Sequence, residues 1–371
     1  MWRRLWMVLA LCLVLVAVDG RAATPAHGQQ LGVRFLRGDW AVTCDNTLTC
    51  RMEGYNAERD DDSSAGRGGV LITRDAGPNA PLRAVVTLAD CDEQTATQWP
   101  AVLQFLVDGK EEGKLKYAGG DSGTYPLTQA QALVLLAGAK DDKTIEFKGG
   151  EKSFVLSGQG VSATMLKMDD VQGRVGTPGA LIRKGDKPET SVRAPVPMPV
   201  IQAAKVIDNP VSRELTASEA QAIEAMLWKT KGEKCGLHEP DRKKESGEQK
   251  LTLTPVDDQH ALISTPCEMG AYQGTVAYWL TGLTGLTDKQ GGTRFLLEDI
   301  DAGYESGVIT TTGKGRGLGD CWEGGSWVWD GTDFRRSGKW GSGECRLIHA
   351  GGTWSGENAI LFYVTKVIPA K

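Results

Sequence analysis

This sequence of 371 residues has few histidines, no excess of positive charge and no apolar run long enough to span a membrane. Only four histidines occur, so few side chains can exchange protons near neutral pH. The net charge of −5 argues against a nucleic-acid partner. Hydrophobic residues make up 40% and charged residues 24% of the chain, which excludes an intrinsically disordered chain, a collagen and a multi-span membrane protein.

Familiar catalytic motifs are also missing. The chain has no Gly-x-Ser-x-Gly elbow and no His-Glu-x-x-His helix. The string Gly120–Gly123 is similar to a serine-protease nucleophile segment, but His27 is the only histidine before it, so we interpret it as a turn. We expect no cofactor and no metal. Enzymatic activity stays uncertain, and a non-enzymatic role is favoured.

The N-terminus has the pattern of a secretory signal peptide. Arg3 and Arg4 precede the apolar run Leu5–Val18, whose 14 residues fall short of the ~20 that a spanning helix needs. We predict a signal peptide over residues 1–22, with cleavage near Ala22. Removing three arginines and one aspartate changes the net charge to −5 − 3 + 1 = −7. The mature chain is expected in the periplasm or outside the cell, without a transmembrane segment.

Cysteine pairing follows from this compartment. Export favours disulfides, and seven cysteines remain after the signal peptide. The nearest-neighbour pairing leaves Cys91 as a free thiol and joins Cys44–Cys50, Cys235–Cys267 and Cys321–Cys345. The main alternative joins Cys44 to Cys91 and leaves Cys50 free. Cys235, His238, His260 and Cys267 could also be drawn as a zinc site, but the compartment favours the disulfide.

Most of the chain has strand patterns. Alternating or short apolar runs predict strands at 40–44, 69–73, 82–88, 101–107, 154–157, 180–183, 251–256, 261–265, 275–280, 293–297, 307–312, 326–329 and 360–367. Capping boxes at Thr128 and Thr216 predict one helix in each half. Asp330-Gly331 predicts a two-residue hairpin that sets Trp327 opposite Phe334.

A proline-rich stretch divides the chain. Five of the fifteen prolines lie within residues 184–210, which we interpret as an extended interdomain linker. The alternative is an ordered loop packed on one domain. The predicted fold is mainly β (all-β to α+β) and disulfide-stapled. A sandwich-like domain covers residues 32–183, a β-rich domain with two disulfides covers residues 211–371, and each has one short helix.

The C-terminal half concentrates tryptophan and glycine. Five tryptophans fall between residues 322 and 354, and the stretch Gly313–Gly319 is glycine-rich with two cations. These side chains could fill a core or form a contact surface, since Trp suits both roles. The predicted ligand-binding residues are Lys314, Arg316, Trp322, Trp327, Trp329 and Trp340. A competing hydrolase hypothesis uses Asp299, Asp301 or Asp320 facing a cleft.

Three strings resemble an exported bacterial family known as domain of unknown function (DUF) 1176. They are the stretch 39–50, which contains Cys44 and Cys50, the stretch 165–174, and the stretch 315–331 followed by Cys345. The resemblance implies a framework of six cysteines, to which Cys91 is an addition. The chain departs from the family at Trp322 and Arg346. No catalytic residue is implied.

Residues 32–182 also resemble the invasion-associated locus B family of exported β-sandwich proteins. The shared elements are Gly38, Asp39, Trp40, Val42 and Cys44. The functional prediction is therefore a binding protein of the envelope, with a glycan or a protein as its partner. The alternatives are a hydrolase of an envelope polysaccharide, and an inhibitor or virulence-associated factor.

Overall fold

The structure is a computed structural model that describes residues 31–57, 66–89, 99–119, 123–242, 247, 249–284, 286 and 292–370. The predicted signal peptide, Cys91 and most of the protease-like string lie outside these residues. The chain is mainly β, with 41% strand and 17% helix, which confirms the predicted fold class. Among the described residues, no helix combines the length and the apolar character that a membrane crossing requires.

The N-terminal half contains two antiparallel sheets around one core. The six-stranded sheet has the order β1-β2-β3-β4-β5-β8, with strands Val33–Arg37, Trp40–Cys44, Cys50–Tyr55, Gly68–Arg74, Leu82–Leu88 and Thr124–Leu127. The four-stranded sheet has the order β10-β9-β6-β7, with strands Lys152–Leu156, Ile145–Gly149, Val102–Val107 and Lys110–Lys116. Their buried side chains, including Met52 and Phe147, form one hydrophobic cluster.

Among its described residues, this half has two α-helices, and the sequence predicted only one. Helix α1, Gln129–Lys140, begins at Thr128, where the expected capping box forms. Helix α2, Val161–Gln172, was missed. It follows Gly160 and has no side-chain cap, so the start signal used for prediction is absent there.

The predicted strand at Ala180–Arg183 is wrong. Its backbone amides are already used, because those of Leu181 and Ile182 donate to the Asp169 carboxylate at 2.7 and 3.2 Å. A strand there would need those amides for a neighbouring ladder. The segment instead folds as a loop beside α2.

The C-terminal half contains two further five-stranded antiparallel sheets. One runs β12-β13-β14-β15-β16, with strands Arg213–Glu214, Thr252–Pro255, His260–Met269, Gly274–Gly282 and Arg294–Ile300. The other runs β17-β18-β19-β20-β21, with strands Gly303–Glu305, Val308–Lys314, Trp322–Trp329, Phe334–Gly341 and Ile360–Val364. Helix α3, Ala217–Lys231, begins at the predicted capping box of Thr216.

The three nearest-neighbour disulfides are present. They join Cys44 to Cys50, Cys235 to Cys267 and Cys321 to Cys345. The alternative Cys44–Cys91 pairing is therefore wrong. Cys44 and Cys50 face each other across β2 and β3, as the hairpin interpretation required.

The β19–β20 hairpin differs from the predicted register. Trp329 lies opposite Phe334 and Trp327 lies opposite Arg336. The carboxylate of Asp330 accepts bonds from the backbone amides of Thr332 and Asp333, both at 2.8 Å. This side chain holds a four-residue loop where the Asp-Gly pair predicted a two-residue turn.

The two halves of the chain pack against each other. Leu71 of β4 shares a buried cluster with Trp354, Ile360 and Phe362 of the C-terminal half. The segment 184–210 bonds to both halves: Val196 donates to the Thr47 carbonyl, and Ala204 donates to that of Trp329. Its strand β11, Val200–Gln202, pairs in parallel with β22, Lys366–Ile368. The division into two domains with a linker stays a prediction.

Candidate functional site

A cleft of about 330 Å³ lies where three parts of the fold converge. One wall comes from β16, another from the ends of β18, β19 and β20, and Arg34 of β1 contributes from the N-terminal half. The Cys321–Cys345 disulfide also lines it and connects the start of β19 to the loop after β20. The cleft is polar: its charged lining residues are Arg34, Lys314, Lys339, Asp299, Glu323 and Glu344.

Lys314 and Trp322, two of the predicted binding residues, form one edge of this cleft. They face each other across β18 and β19, and the Lys314 ammonium lies 5.3 Å from the centre of the indole ring. That distance is within the range of a cation–π interaction. The Trp322 Nε1 donates to the Gly319 carbonyl at 2.8 Å, which fixes the ring, and Trp322 remains half-exposed.

The backbone of Lys314 is held from the other sheet. Gln273, in the turn before β15, accepts from the Lys314 amide at 2.9 Å and donates to the Lys314 carbonyl at 3.1 Å. This pair of bonds fixes the spacing of the two cleft walls at that end.

Arg316 has a structural role here. Its guanidinium forms two hydrogen bonds with the Asp320 carboxylate, at 2.8 and 2.6 Å, and a third with the Cys345 carbonyl at 3.2 Å. Burial opposes ionisation of Asp320, but the bonds from Arg316 and from the Leu347 amide outweigh burial and lower its pKa. Arg316, which was predicted to bind a ligand, thus holds the glycine-rich loop against the Cys321–Cys345 disulfide.

The other three predicted tryptophans do not line the cleft. Trp327 and Trp329 belong to a buried core cluster, with 9% and 0% of their surface exposed. Trp340 lies opposite Gly324 on β19 and is not among the residues that line the cleft.

Charges of both signs are paired inside the cleft. Arg34 forms a close ion pair with Glu344, and Lys339 lies 3.2 Å from Glu323. Lys314 contacts the Trp322 ring, and the Asp299 carboxylate accepts from the Ile300 amide at 2.8 Å. The site therefore offers hydrogen-bond donors and acceptors on opposite walls, with one aromatic surface.

A buried polar network lies directly behind the cleft. Glu53 is fully buried, with one carboxylate oxygen 3.3 Å from Arg34 and the other accepting a 2.5 Å hydrogen bond from the Tyr55 hydroxyl. Burial raises the pKa of Glu53, although Arg34 and the Tyr55 hydrogen bond act in the opposite direction. Burial and the Glu53 carboxylate raise the pKa of Tyr55 well above its usual value.

Residues considered for zinc or for hydrolysis are engaged elsewhere. Cys235 and Cys267 are joined in a disulfide, and the His238 Nε2 lies 2.9 Å from the Thr265 hydroxyl. Of the three carboxylates in the hydrolase hypothesis, only Asp299 lines the cleft. Asp320 is bound by Arg316, as described above.

Several of the cleft residues could not be predicted from the sequence. Arg34 and Glu344 are 310 positions apart in the chain. Lys339 lies in β20, where the sequence predicted no binding residue except Trp340. No local pattern marks them, because their proximity is produced by packing of the two halves. The cysteines and the glycine-rich loop were the signals that located the correct region.

The fold and the site define a disulfide-bonded, mainly β protein with a polar cleft bordered by one tryptophan. The chain belongs to the family described as Protein of unknown function (DUF1176), whose model matches residues 35–359. It is 27% identical over 317 residues to the Uncharacterized protein YpfG of Escherichia coli (strain K12). The aligned region covers 80% of this chain and 84% of that relative. No solved structure matches the chain. The resemblance of residues 32–182 to the invasion-associated locus B family stays a prediction.

Proposed function

We propose that this chain is an exported, non-enzymatic protein of the bacterial envelope that binds a glycan in the cleft beside Trp322. The observation that carries the proposal is the half-exposed, fixed indole of Trp322 at the edge of a polar cavity of about 330 Å³. Ligand sites are concave and combine an apolar surface with a few fixed polar groups.

The chemistry of the walls favours a polyhydroxylated ligand. A sugar presents one apolar face and several hydroxyl groups that both donate and accept hydrogen bonds. Trp322 offers a surface for that apolar face. The ammonium of Lys314 is a donor, and the carboxylate of Asp299 is an acceptor. A site with cations alone would instead favour an anion.

Export is the part of the proposal that rests on the sequence and the disulfides. Disulfides persist in oxidising compartments such as the periplasm, and the N-terminus has the pattern of a signal peptide. Osmotic-shock fractionation followed by mass spectrometry of the mature N-terminus tests it. The expected product begins just after Ala22, and a full-length chain in the cytoplasmic fraction would contradict export.

Sedimentation with purified envelope polymers tests the binding. The mature protein is mixed with peptidoglycan sacculi or with lipopolysaccharide, and bound protein is measured in the pellet. Wild type should pellet with at least one of them, and Trp322→Ala and Lys314→Ala should pellet less. Trp340→Ala is the matched control, since it removes the same kind of side chain at a position that does not line the cleft. Equal binding by Trp322→Ala and wild type would reject the site.

A hydrolase of an envelope polysaccharide is the second candidate. Asp299, Glu323 and Glu344 face one cleft, and glycoside hydrolysis uses two carboxyl groups across a substrate. Release of reducing ends from the same polymers, lost in Asp299→Asn, would favour it. A third candidate, an inhibitor or virulence-associated factor, would instead show a single protein partner in crosslinking.

A further inference from the structure

A second cavity, of about 450 Å³, lies in the N-terminal half and has no part in the proposed glycan site. Its walls come from α1, from α2, from the ends of β4 and β5, and from the loop around residues 179–184. The wall is largely apolar, with Leu133, Leu136 and Ala137 on α1 facing Met165 and Leu181. The volume is within the range of small-molecule sites.

Every charged residue that lines the described part of this cavity is a cation. They are Arg74, Lys140 and Lys184. Lys140 and its exposed neighbour Asp141 are 3.1 Å apart, a surface pair that contributes little. An apolar cavity with cations alone complements a ligand that has an apolar body and a negative charge.

Arg74 is the most informative of the three cations. Only 6% of it is exposed, and it donates from Nε to the Ala80 carbonyl at 3.1 Å and from Nη1 to the Gly179 carbonyl at 2.9 Å. Its Nη1 lies 3.8 Å from the Asp169 carboxylate, too far for a hydrogen bond. Within the described residues, its Nη2 donates no hydrogen bond. Nη2 is not one of the buried polar atoms that lack a partner, so solvent reaches it, and a ligand in the cavity can replace that water as its acceptor.

The Asp169 carboxylate accepts no hydrogen bond from the Arg74 guanidinium. Its Oδ2 is used by the amides of Leu181 and Ile182, and its buried Oδ1 has no hydrogen-bond partner among the described residues. Asp169 does not line the cavity, and its charge acts on Arg74 from behind the cavity wall. Because Nε and Nη1 already donate to carbonyls, Nη2 is the donor that Arg74 offers to a carboxylate or a phosphate.

We infer that this cavity binds an acyl chain that carries an anionic head. The head interacts with Arg74, with Lys184 at the rim, and the chain lies against Leu133, Leu136 and Met165. The acyl chain can come from a free fatty acid or from an anionic phospholipid, and both share this chemistry.

Titration calorimetry with three probes separates the contribution of the anionic head to the affinity from that of the acyl chain. Decanoate carries both features, 1-decanol lacks the charge, and acetate lacks the chain; each is used below its micelle concentration. Decanoate should bind, and the other two should bind at least about tenfold more weakly. Equal binding of decanol and decanoate would overturn the anionic head, and no binding of decanoate or of phosphatidylglycerol would overturn the site.

Variants on an exposed face of α1 locate the binding without disturbing the core. Ala137→Phe fills the cavity and should abolish decanoate binding. Val134→Phe is the control, because Val134 is an exposed residue of the same helix that does not line the cavity. Lys184→Ala should weaken binding about two- to fivefold. Binding by Ala137→Phe equal to wild type would overturn the site.

The same variants show whether the bound acyl chain belongs to a free fatty acid or to a phospholipid. Phosphatidylglycerol vesicles are sedimented with wild type and with Ala137→Phe. Co-sedimentation that Ala137→Phe loses indicates a phospholipid, whereas decanoate binding without co-sedimentation indicates a free fatty acid.

Discussion

Tyr55 and Trp354 are 299 positions apart in the chain, yet the Trp354 Nε1 donates a 3.1 Å hydrogen bond to the Tyr55 hydroxyl oxygen. The same oxygen accepts from the Glu344 amide at 3.1 Å and donates to Glu53. One hydroxyl therefore joins the six-stranded sheet to the loop that lines the cleft. Because all of these groups lie within or beside the core, this hydroxyl should contribute strongly to stability.

Replacing Tyr55 by phenylalanine should destabilise the protein by about 3 kcal/mol, because three hydrogen-bonding groups lose their partner at once. Chemical denaturation measures the change. Tyr125→Phe is the control, since Tyr125 is equally buried and its hydroxyl makes one bond, to the Pro100 carbonyl at 2.8 Å. It should cost about 1 kcal/mol. Equal losses in the two variants would contradict the role given to the Tyr55 network.

Glu53 should make stability depend on pH. Its pKa is raised in the folded state, so the folded protein holds this proton more tightly than the unfolded chain does. Below pH 4.5, the usual pKa of a glutamate, Glu53 is protonated in both the folded and the unfolded state. As the pH rises from 4.5 through the raised pKa of the folded state, the free energy of unfolding therefore decreases. Glu53→Gln should flatten this decline. Unfolding curves collected from pH 4 upward test it, and an unchanged slope in the variant would refute the assignment.

Gly343 should tolerate no side chain. Its backbone has φ of +91°, and a Cβ there would lie 2.5 Å from the Tyr55 hydroxyl oxygen and 2.7 Å from a Glu53 carboxylate oxygen. Gly351 has a similar φ of +84° and open space around it, so Gly351→Ala isolates the backbone cost of about 1–2 kcal/mol. Gly343→Ala should cost about 1–3 kcal/mol more. Thermal unfolding compares the two variants, and equal losses would argue against a close contact.

The disulfides should differ in their contribution to stability. Cys235 and Cys267 are separated by 32 positions, and Cys44 and Cys50 by six. A larger closed loop removes more entropy from the unfolded chain, so Cys235→Ala with Cys267→Ala should cost about 1.5 kcal/mol more than the corresponding Cys44 and Cys50 pair. All four sulfurs are buried, which keeps the loss of packing similar. Denaturant titrations measure the difference, and the reverse order would contradict the loop-entropy argument.

Local features of this fold could be predicted from the sequence, and long-range features could not. The starts of α1 and α3 were correct because a capping box lies within four consecutive residues. The predicted pairing of Trp327 with Phe334 was wrong because hydrogen bonds to the Asp330 side chain stabilise a four-residue loop. Arg34 and Glu344 lie in the site because distant segments of the chain pack together. A single sequence gives no indication of which distant segments will pack.

The glycan-binding proposal is tested most directly by the ratio of two affinities. A soluble fragment of the polymer that wild type binds is titrated calorimetrically into Trp322→Ala and into Trp340→Ala. Trp322→Ala should lose at least about tenfold in affinity, or about 1.4 kcal/mol, and Trp340→Ala should bind like wild type. Equal losses in the two variants, or no loss in Trp322→Ala, would contradict it.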